Sequence, residues 1–483
     1  MSTSKQDAPR SVSAAVITAA LVIIVAVIES VMGPALPSIQ AELALDPGRA
    51  SLIVSTLIVS AAVATPIVGR FADRVGGRLA LGWTSVIVSI GGLLAAFGQS
   101  FEVFLFGQLL LGVGVGIVPL AFVIVREAIS GAQRGVAAGF VMALTTVGGV
   151  IGVTLGGFGI TALGRTWVFG APAVAVALLG TAAFLFVPRR ASSVDAKAHD
   201  GAFDWAGTLT FAAALGCVAL ALSLGGTMGW TSPAVLGLVV GAVVLVVAWL
   251  LIERRAANPF VDLDLLSQRP VWSTTVAAVL QGVSYGVLWF LLPQLIVLPA
   301  ALGYGLGGTP ADITLFLLPM GVAGVLAGPL AGWLTRRAGA RTIALIGLAM
   351  IAAAALYLLF RSTAHVDFFI AYALAGVGLT VFQTALSTAV IEAVAPESVG
   401  IATGLFGVGR VVGAGLGAGI GGAVLASALD PAAGVPSQAG FVIGFVISLA
   451  IAVVGGMWTA ATVSGSSPGQ TAPAEGALDE IAR

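Results

Sequence analysis

Two unrelated sequence patterns each occur twice in this chain, at nearly the same separation. The segment from Gly69 to Arg78 returns 263 positions later, between Gly332 and Arg341. A ladder of glycines returns with a shift of 265 positions: Gly139, Gly148, Gly152, Gly156 and Gly157 correspond to Gly404, Gly413, Gly417, Gly421 and Gly422. Two patterns repeated at almost one separation indicate a chain built from two homologous halves.

Apolar segments long enough to cross a bilayer fill most of the chain. Hydrophobic residues make up 59% of the 483 residues, charged residues 9%, and the mean hydropathy is +1.10. About 20 apolar residues span the hydrocarbon core as a helix. We predict fourteen such helices, near 12–36, 50–69, 79–98, 103–125, 135–161, 167–187, 205–224, 233–252, 271–297, 311–334, 341–360, 367–390, 399–427 and 438–462. Two homologous halves in a membrane chain are typical of transporters that work by alternating access.

The distribution of Lys and Arg predicts that both termini are cytoplasmic. With the N-terminus inside, only three of the 21 basic residues fall on the outside, Arg49, Arg165 and Arg361, and Arg410 falls within a span. The remaining seventeen fall on the inside, which is the side that basic residues favour. The first apolar run continues past Glu29 without a small-residue cleavage site, so we expect a retained helix rather than a signal peptide. The sequence therefore predicts a multi-pass protein of the cytoplasmic membrane.

Composition argues against several other classes of protein. The net charge is zero and the basic residues are not clustered with aromatic ones, so we expect no nucleic acid partner. The one cysteine, Cys217, precludes an internal disulfide, and the two histidines, His199 and His365, lie far apart in predicted loops, which argues against a metal site. No span contains a cluster of nucleophile, base and metal ligands, so we expect neither an enzyme nor a cofactor.

The separation of the repeats predicts an insertion between the halves. The first six helices occupy about 176 residues, yet the repeats lie about 264 apart, so about 88 residues separate the halves. We predict five regions: a cytoplasmic tail over 1–11, a six-helix bundle over 12–187, a linker with two extra transmembrane helices over 188–270, a second six-helix bundle over 271–462, and a disordered cytoplasmic tail over 463–483.

Several motifs resemble those of the major facilitator superfamily, and in particular its fourteen-helix drug:proton antiporter branch. The resemblance covers nearly the whole chain. It is carried by Gly69-x-x-x-Asp73-Arg74-x-Gly76-x-Arg78 after the second helix, by the glycine ladder in the fifth helix, by Asp204-Trp205-x-Gly207, Trp230 and Asn258-Pro259 around the insertion, by Ala35-Leu36-Pro37, and by Arg410 near Gly413. The resemblance implies an all-α membrane fold of two six-helix bundles plus two inserted helices.

The repeated loop is the first candidate for a gate. Gly69 and Gly76 permit tight turns, and Asp73 is placed to accept hydrogen bonds from a helix N-terminus or to pair with arginines such as Arg74 and Arg78. The resemblance implies that this cluster closes the cytoplasmic side. The alternative is that these charges serve only orientation. Glu127 and Arg134 resemble a second acid–base pair of the family, which is either a gating salt bridge or a solvated pair worth ~0–1 kcal/mol.

The glycine ladder places small residues on one helix face, so we expect close helix packing there. Generic packing accounts for part of this pattern. The resemblance adds that this face guides the rocking of the halves. Val153 stands where the family motif usually has proline.

Glu29 and Arg410 are the charged residues that the sequence places within spans. A charge at bilayer depth costs about 2.5–3.5 kcal/mol on insertion scales, so it normally faces a cavity. We predict that Glu29 carries protons or recognises cations; the alternative is a hydrated residue near the outer interface. Arg410 either neutralises Glu29, binds an anionic group of a substrate, or serves a structural role. Gln108 occupies the region where the resemblance implies an arginine used in proton transfer.

Polar and aromatic residues mark a candidate substrate cavity. Gln281, Tyr285 and Trp289 follow one another at intervals of four on one helix, and Tyr372, Phe382 and Gln383 form a similar set on another. Aromatic faces stack on apolar molecules and attract cations. The alternative is an interfacial aromatic belt. We therefore predict a monomeric exporter of hydrophobic or cationic small molecules in exchange for protons; the alternative is an exporter or flippase of a lipid or native metabolite, without proton coupling.

Overall fold

The fold is that of a computed structural model, which describes residues 7–118, 120–121, 144–145, 147–186, 204–256, 263–394, 399–430 and 434–463. Within these ranges the chain is helical, with one isolated bridge between Leu429 and Pro436 as its β structure. The labelled helices are α1 Asp7–Glu42, α2 Pro47–Val75, α3 Gly77–Phe97, α4 Phe101–Gly112, α5 Val147–Phe186, α6 Trp205–Met228, α7 Pro233–Glu253, α8 Arg269–Val297, α9 Pro310–Ala338, α10 Ala340–Phe360, α11 His365–Ala393, α12 Val399–Ser427 and α13 Gln438–Thr462.

Twelve helices in the described ranges are long and apolar enough to cross a membrane, and α4 with its following turn is a shorter apolar helix over Phe101–Gly116. Most bounds agree with the predicted spans within a few residues. The first helix differs, because it begins at Asp7 inside the segment predicted as a tail and continues to Glu42. Pro34 and Pro37 lie inside it without ending it.

Local sequence sets the helix starts. Asp46 accepts a hydrogen bond from the Arg49 amide at the start of α2, and Ser232 accepts one from the Val235 amide at the start of α7. Each of these helices has proline in its first turn, where the missing N–H has no intrahelical partner to lose. Polar caps therefore separate the apolar segments.

The fifth helix consists of two helical parts that meet at Gly164, within the short segment that the sequence predicts as a loop between two spans. α5 runs for 40 residues, contains a π-turn over Leu155–Gly159, and bends at Gly164, whose φ is 76°. A φ in this range favours glycine. The chain therefore reverses within one residue, and Arg165, predicted to lie in an outer loop, begins the second part of α5.

The glycine ladder packs α5 onto α1. A Cβ on Gly148 would meet the Ile23 carbonyl oxygen, and one on Gly152 would meet the Val27 carbonyl oxygen. The second ladder packs α12 onto α8 in the same way: Gly413 lies against the Val279 carbonyl oxygen and Gly417 against that of Val283. These four glycines lie in close helix contacts, whereas a Cβ on Gly404 would meet no described atom within 4 Å, and Gly139 lies outside the described residues.

These contacts also give the correspondence between α1 and α8. Ile23 matches Val279 and Val27 matches Val283, a shift of 256 positions rather than the 263–265 of the other repeats. With that shift, Glu29 corresponds to Tyr285 and Pro37 to Pro293. The two halves are related helix by helix, although no sequence motif in α1 reveals it.

The two inserted helices pack beside the bundles. α6 contacts α7 and also touches one helix of each half, α2 and α12. Leu222 of α6 lies against Gly419 of α12: a Cβ built on Gly419 would come within 2.9 Å of Leu222 Cδ1. α7 is the most exposed of the candidate spans, with valine and leucine side chains directed outward. The hairpin therefore covers one seam between the halves.

Candidate functional site: the space between the two halves

The halves touch at one end of the bundle, which we call the outer end because the arginine distribution predicts it to be extracellular. α2 and α9 begin there. A Cβ on Gly157 of α5 would meet Thr314 Oγ1 and would lie 2.5 Å from the Pro310 carbonyl oxygen of α9. The symmetric contact joins Gly422 of α12 to Ser51 of α2. Each half therefore places a ladder glycine against the start of a helix in the other half.

Hydrogen bonds between the halves accompany these contacts. Thr314 donates to the Val153 carbonyl oxygen at 2.8 Å, and Ser55 donates to the Gly415 carbonyl oxygen at 2.9 Å. Gln294 of α8 donates to Gln40 of α1 at 2.7 Å. None of the glutamine, serine and threonine side chains stood out in the sequence, because isolated uncharged polar residues give no periodic signal. They close the outer end through bonds that can form and break without moving a charge.

Three glycines nearer the opposite, inner end make no close contact among the described residues. A Cβ built on Gly404 or Gly407 of α12, or on Gly321 of α9, would meet no atom within 4 Å among the described residues. All three glycines lie inward of the cross-half contacts on the same helices. Among the described residues, the close contacts between the halves therefore lie toward the outer end, and none is made at these three inward positions.

Glu29 faces this space from the middle of α1. Its side chain is exposed although its neighbours Ile28 and Met32 are buried. It is attracted electrostatically by Arg410 of α12, which lies in the other half. Within the described residues the ion pairs are Arg49–Asp46 and Arg165–Glu42, so Glu29 and Arg410 face each other without direct contact.

An aromatic pair lies beside these charges. Tyr285 interacts electrostatically with Arg410, and its ring stacks on Trp289 with centroids 5.8 Å apart. Trp289 packs over Gly33 of α1, where a Cβ would come within 2.8 Å of the indole. The stripe predicted on this helix therefore reaches across to the helix that carries Glu29. The site combines a carboxylate, a guanidinium and two aromatic faces, which suits an apolar molecule with a charged group.

The structure distributes the remaining predicted cavity residues differently. Gln383 is partly exposed, whereas Gln281 and Gln108 are fully buried, with both amide atoms of each lacking a hydrogen bond. Tyr372 is buried against Phe316, with ring centroids 6.4 Å apart. Phe382 belongs instead to the packed core of the second half, because its backbone and Cβ fill the space beside Gly347. We therefore remove Phe382 from the cavity lining.

The predicted gate residues lie at the inner end. Gly76 ends α2 with a φ of 91°, and the equivalent Gly339 ends α9 with a φ of 83°, so both turns use a conformation that favours glycine. A Cβ on Gly69 would meet no atom of the described residues within 4 Å. Asp73 and Arg74 fall in the last turn of α2 and Arg78 at the start of α3. Glu127 and Arg134 lie outside the described residues.

One structural ion pair was not predicted. Arg165 pairs with Glu42 at 2.9 Å and donates to the carbonyl oxygens of Ala95 and Gly98 at 2.9 and 2.6 Å. Its guanidinium also lies over the ring of Phe104. The side chain is nearly buried and ties α1, α3 and α5 together at the outer end. The sequence signal available for it was a lone arginine on the side that basic residues avoid.

Comparison with known proteins identifies the family of this chain. The model of the Major Facilitator Superfamily matches residues 18–214 and 274–479, leaving out most of the inserted hairpin. The chain belongs to this superfamily. It is a multi-pass membrane transporter rather than an enzyme, and its fold is the all-helical fold of the superfamily.

The relatives include proteins named for multidrug resistance and one named for nucleoside transport. The multidrug resistance protein Stp of Mycobacterium tuberculosis is 28% identical over 394 residues, covering 80% of this chain and 70% of the relative. A uridine/deoxyuridine transporter of Lactococcus lactis is 27% identical over 331 residues, covering 66% of each. The nucleoside transporter NupG superposes with a TM-score of 0.67 over 94% of this chain and all of the other, at 12% identity, which supports the fold alone.

Proposed function

We propose that this chain exports hydrophobic or cationic small molecules across the cytoplasmic membrane, by alternating access and in exchange for protons. The observation that carries the proposal is the placement of Glu29: its carboxylate is exposed within the space between the halves and faces Arg410 and the Tyr285–Trp289 pair. The multidrug-resistance names of the relatives support the substrate class.

Substrate and proton compete for one carboxylate in this proposal. A cationic molecule binds with its charge on Glu29 and its apolar body against Tyr285 and Trp289. Either the charge of the substrate or a bound proton neutralises the carboxylate. Arg410 weakens the affinity of Glu29 for both cations and so limits how tightly either is held. Exchange follows because the carboxylate cannot hold both.

The gates alternate around this site. At the outer end, the glycine contacts and the Gln40–Gln294 bond separate when the halves rock. At the inner end, we assign closure to the loop that contains Gly69, Asp73, Arg74, Gly76 and Arg78, together with the pair Glu127–Arg134. Within each half, ladder glycines hold two helices together: those of α5 pack against α1, and those of α12 pack against α8. Each half therefore moves as one body.

The number of spans and the sidedness belong to the same proposal. We assign fourteen spans by counting α4 with its continuation as one and the two parts of α5, on either side of Gly164, as two. Both termini are then cytoplasmic, and the protein works as a monomer with one cavity. The inserted pair is α6 and α7.

A second candidate is transport of a native metabolite or lipid without proton coupling. Gln108 in place of the arginine implied by the family resemblance favours this reading, as does the relative named as a uridine/deoxyuridine transporter. The two candidates predict different roles for Glu29.

Reconstitution in liposomes separates the candidates. Purified protein is tested for movement of a fluorescent cationic dye driven by an imposed pH gradient, with Glu29→Gln and Glu29→Asp in parallel. We expect Glu29→Gln to abolish coupled movement and Glu29→Asp to retain part of it. Equal dye transport by Glu29→Gln and the wild type would remove the proton role from Glu29.

Two controls complete the experiment. Gly237→Ala adds a methyl group at an exposed position of α7, away from the space between the halves, and should leave dye transport unchanged. Uridine uptake, measured with and without the pH gradient, tests the second candidate. Gradient-independent uridine transport together with no dye transport would favour the metabolite function.

A further inference from the structure

The two repeated loops differ in charge at two positions: Arg70 and Asp73 of the first loop correspond to Trp333 and Arg336 of the second. Each loop therefore carries three arginines, but the second, with Arg336, Arg337 and Arg341, contains no acid. All three are exposed. None forms an ion pair with an acid in the described part of the chain, and this includes Glu392 at the end of the adjacent helix α11. The loop is an exposed basic cluster at the inner end of α9.

An apolar stripe on α9 leads directly to this cluster. Val322, Leu326, Leu330 and Trp333 are 58%, 70%, 56% and 42% exposed, and their spacing of four, four and three residues places them on one helix face. Arg337 continues the same face one turn further. The opposite face is the one that packs, with Gly328 and Gly332 against Thr380 and Thr384 of α11.

Along this stripe the side chains change from apolar to aromatic to cationic, which matches the acyl chains, the interfacial region and the anionic head group of a phospholipid. Leucine and valine side chains come first, an indole follows at the position of the interface, and guanidinium groups end the stripe. Tryptophan is enriched at membrane interfaces, and basic residues beside a span attract anionic lipid head groups. The Arg337 guanidinium lies over the Trp333 ring, 3.9 Å from its centroid, which fixes its plane and leaves its N–H edge available.

The start of α10 adds backbone donors to the same place. The first amides of a helix have no intrahelical acceptor. At the start of α10 the N-cap residue is Gly339, with a φ of 83°, so no side chain of the N-cap accepts a hydrogen bond from them. A phosphate oxygen is a suitable acceptor for such amides. Arginine binds phosphate through two parallel hydrogen bonds.

We propose that α9 and the loop Arg336–Arg341 form a site for an anionic phospholipid of the inner leaflet. Its phosphate binds Arg336, Arg337 and Arg341, and its acyl chains lie along Leu330, Leu326 and Val322. A soluble anion would use the arginines but would have no need of the apolar stripe. The first loop, with Asp73 in the equivalent place, has no such preference.

Quenching of tryptophan fluorescence tests the site directly. The full-length protein in detergent is titrated with phosphatidylglycerol or phosphatidylcholine that carries bromine on the acyl chains. The difference between the wild type and Trp333→Phe isolates Trp333 from the other tryptophans. We expect phosphatidylglycerol to quench Trp333 at lower concentration than phosphatidylcholine, and salt to weaken this preference.

Charge variants decide whether the arginines are responsible. Replacing them by glutamine should weaken phosphatidylglycerol binding by roughly fivefold per arginine removed. The matched control, Arg361→Gln, removes one positive charge at the outer end and should leave quenching of Trp333 unchanged. If the triple glutamine variant does not fold, the three single variants and the triple lysine variant are measured instead, and each glutamine variant should still weaken binding.

Two results would overturn the proposal. One is equal quenching of Trp333 by the two lipids in the wild type. The other is an unchanged preference for phosphatidylglycerol in the folded arginine variants. Displacement of phosphatidylglycerol by inorganic phosphate at a concentration below that of the lipid would also contradict a lipid site, because it would assign the cluster to a soluble anion.

Discussion

The cross-half contact at Gly157 allows the conformational equilibrium to be shifted by one methyl group. In the Gly157→Ala variant the added Cβ would overlap Thr314 Oγ1 and approach the Pro310 carbonyl oxygen to 2.5 Å. The Thr314 side chain can rotate away, but the carbonyl belongs to the backbone of the other half. The overlap exists only while the outer end is closed. The substitution therefore penalises one conformation and leaves the open one unaffected.

The size of the effect follows from the cost of overpacking. Adding a methyl group to a tight contact costs about 1–3 kcal/mol. A free-energy difference of that size changes the ratio of two conformations by roughly 5- to 150-fold. We expect the outer-open population to rise by this factor.

Thiol accessibility measures that population. Cys217, the one cysteine of the chain, is first replaced by serine, and Ser55 of α2 is replaced by cysteine. Ser55 is buried at the other seam, where it donates to the Gly415 carbonyl oxygen, so a maleimide reaches it only when the outer end opens. Gly157→Ala should accelerate labelling of Cys at position 55 in proportion to the outer-open population.

The matched control is Gly404→Ala, which adds the same methyl group to a ladder position that faces open space. Its labelling rate should equal that of the parent. An unchanged labelling rate in a folded Gly157→Ala variant would refute the reasoning, since it would mean that the contact does not separate during opening.

Three further predictions concern stability and binding. Gly152→Ala adds a methyl group against the Val27 carbonyl oxygen within one half, so it should lower the melting temperature by thermal denaturation without changing the labelling rate. Arg165→Gln leaves two carbonyl oxygens without their donor and should cost about 1–3 kcal/mol of stability in the same assay; an unaltered melting temperature would contradict the clamp. Gln281→Met should be neutral or stabilising if its buried amide stays unpaired, and should lower dye transport at unchanged melting temperature if a ligand binds that amide.

Helix bounds and helix packing were accessible from the sequence because each depends on local pattern. Apolar length defined the spans within a few residues, since water-free surroundings require a helix wherever about 20 apolar residues occur. Glycines at intervals of four predicted a close helix contact. Gly164, with its positive φ, lies in the break predicted between two spans, so the turn between the two parts of α5 also depends on local sequence.

The candidate site was accessible only in part. Glu29 and Arg410 were identifiable because charge within a span is costly and therefore rare. Phe382 was misplaced because an aromatic residue on an apolar helix has the same pattern whether it faces a cavity or a core. The outer contacts through Ser55, Thr314 and Gln294 were not foreseen, because uncharged polar side chains give no signal until a partner from the other half is placed beside them.

The sequence by itself determined that this protein is a membrane protein with repeated motifs and charges within its spans, and it predicts two homologous halves with an insertion between them. These properties follow from composition, length and repetition, which need no knowledge of how the helices pack. Only the tertiary structure decided which residues meet across the halves. It placed Glu29 opposite Arg410, matched Glu29 with Tyr285 by a shift that the repeats do not show, and closed the outer end through Gly157 and Gly422. The physical reason is that contacts between residues far apart in the chain depend on the relative position of whole helices, which no local pattern specifies.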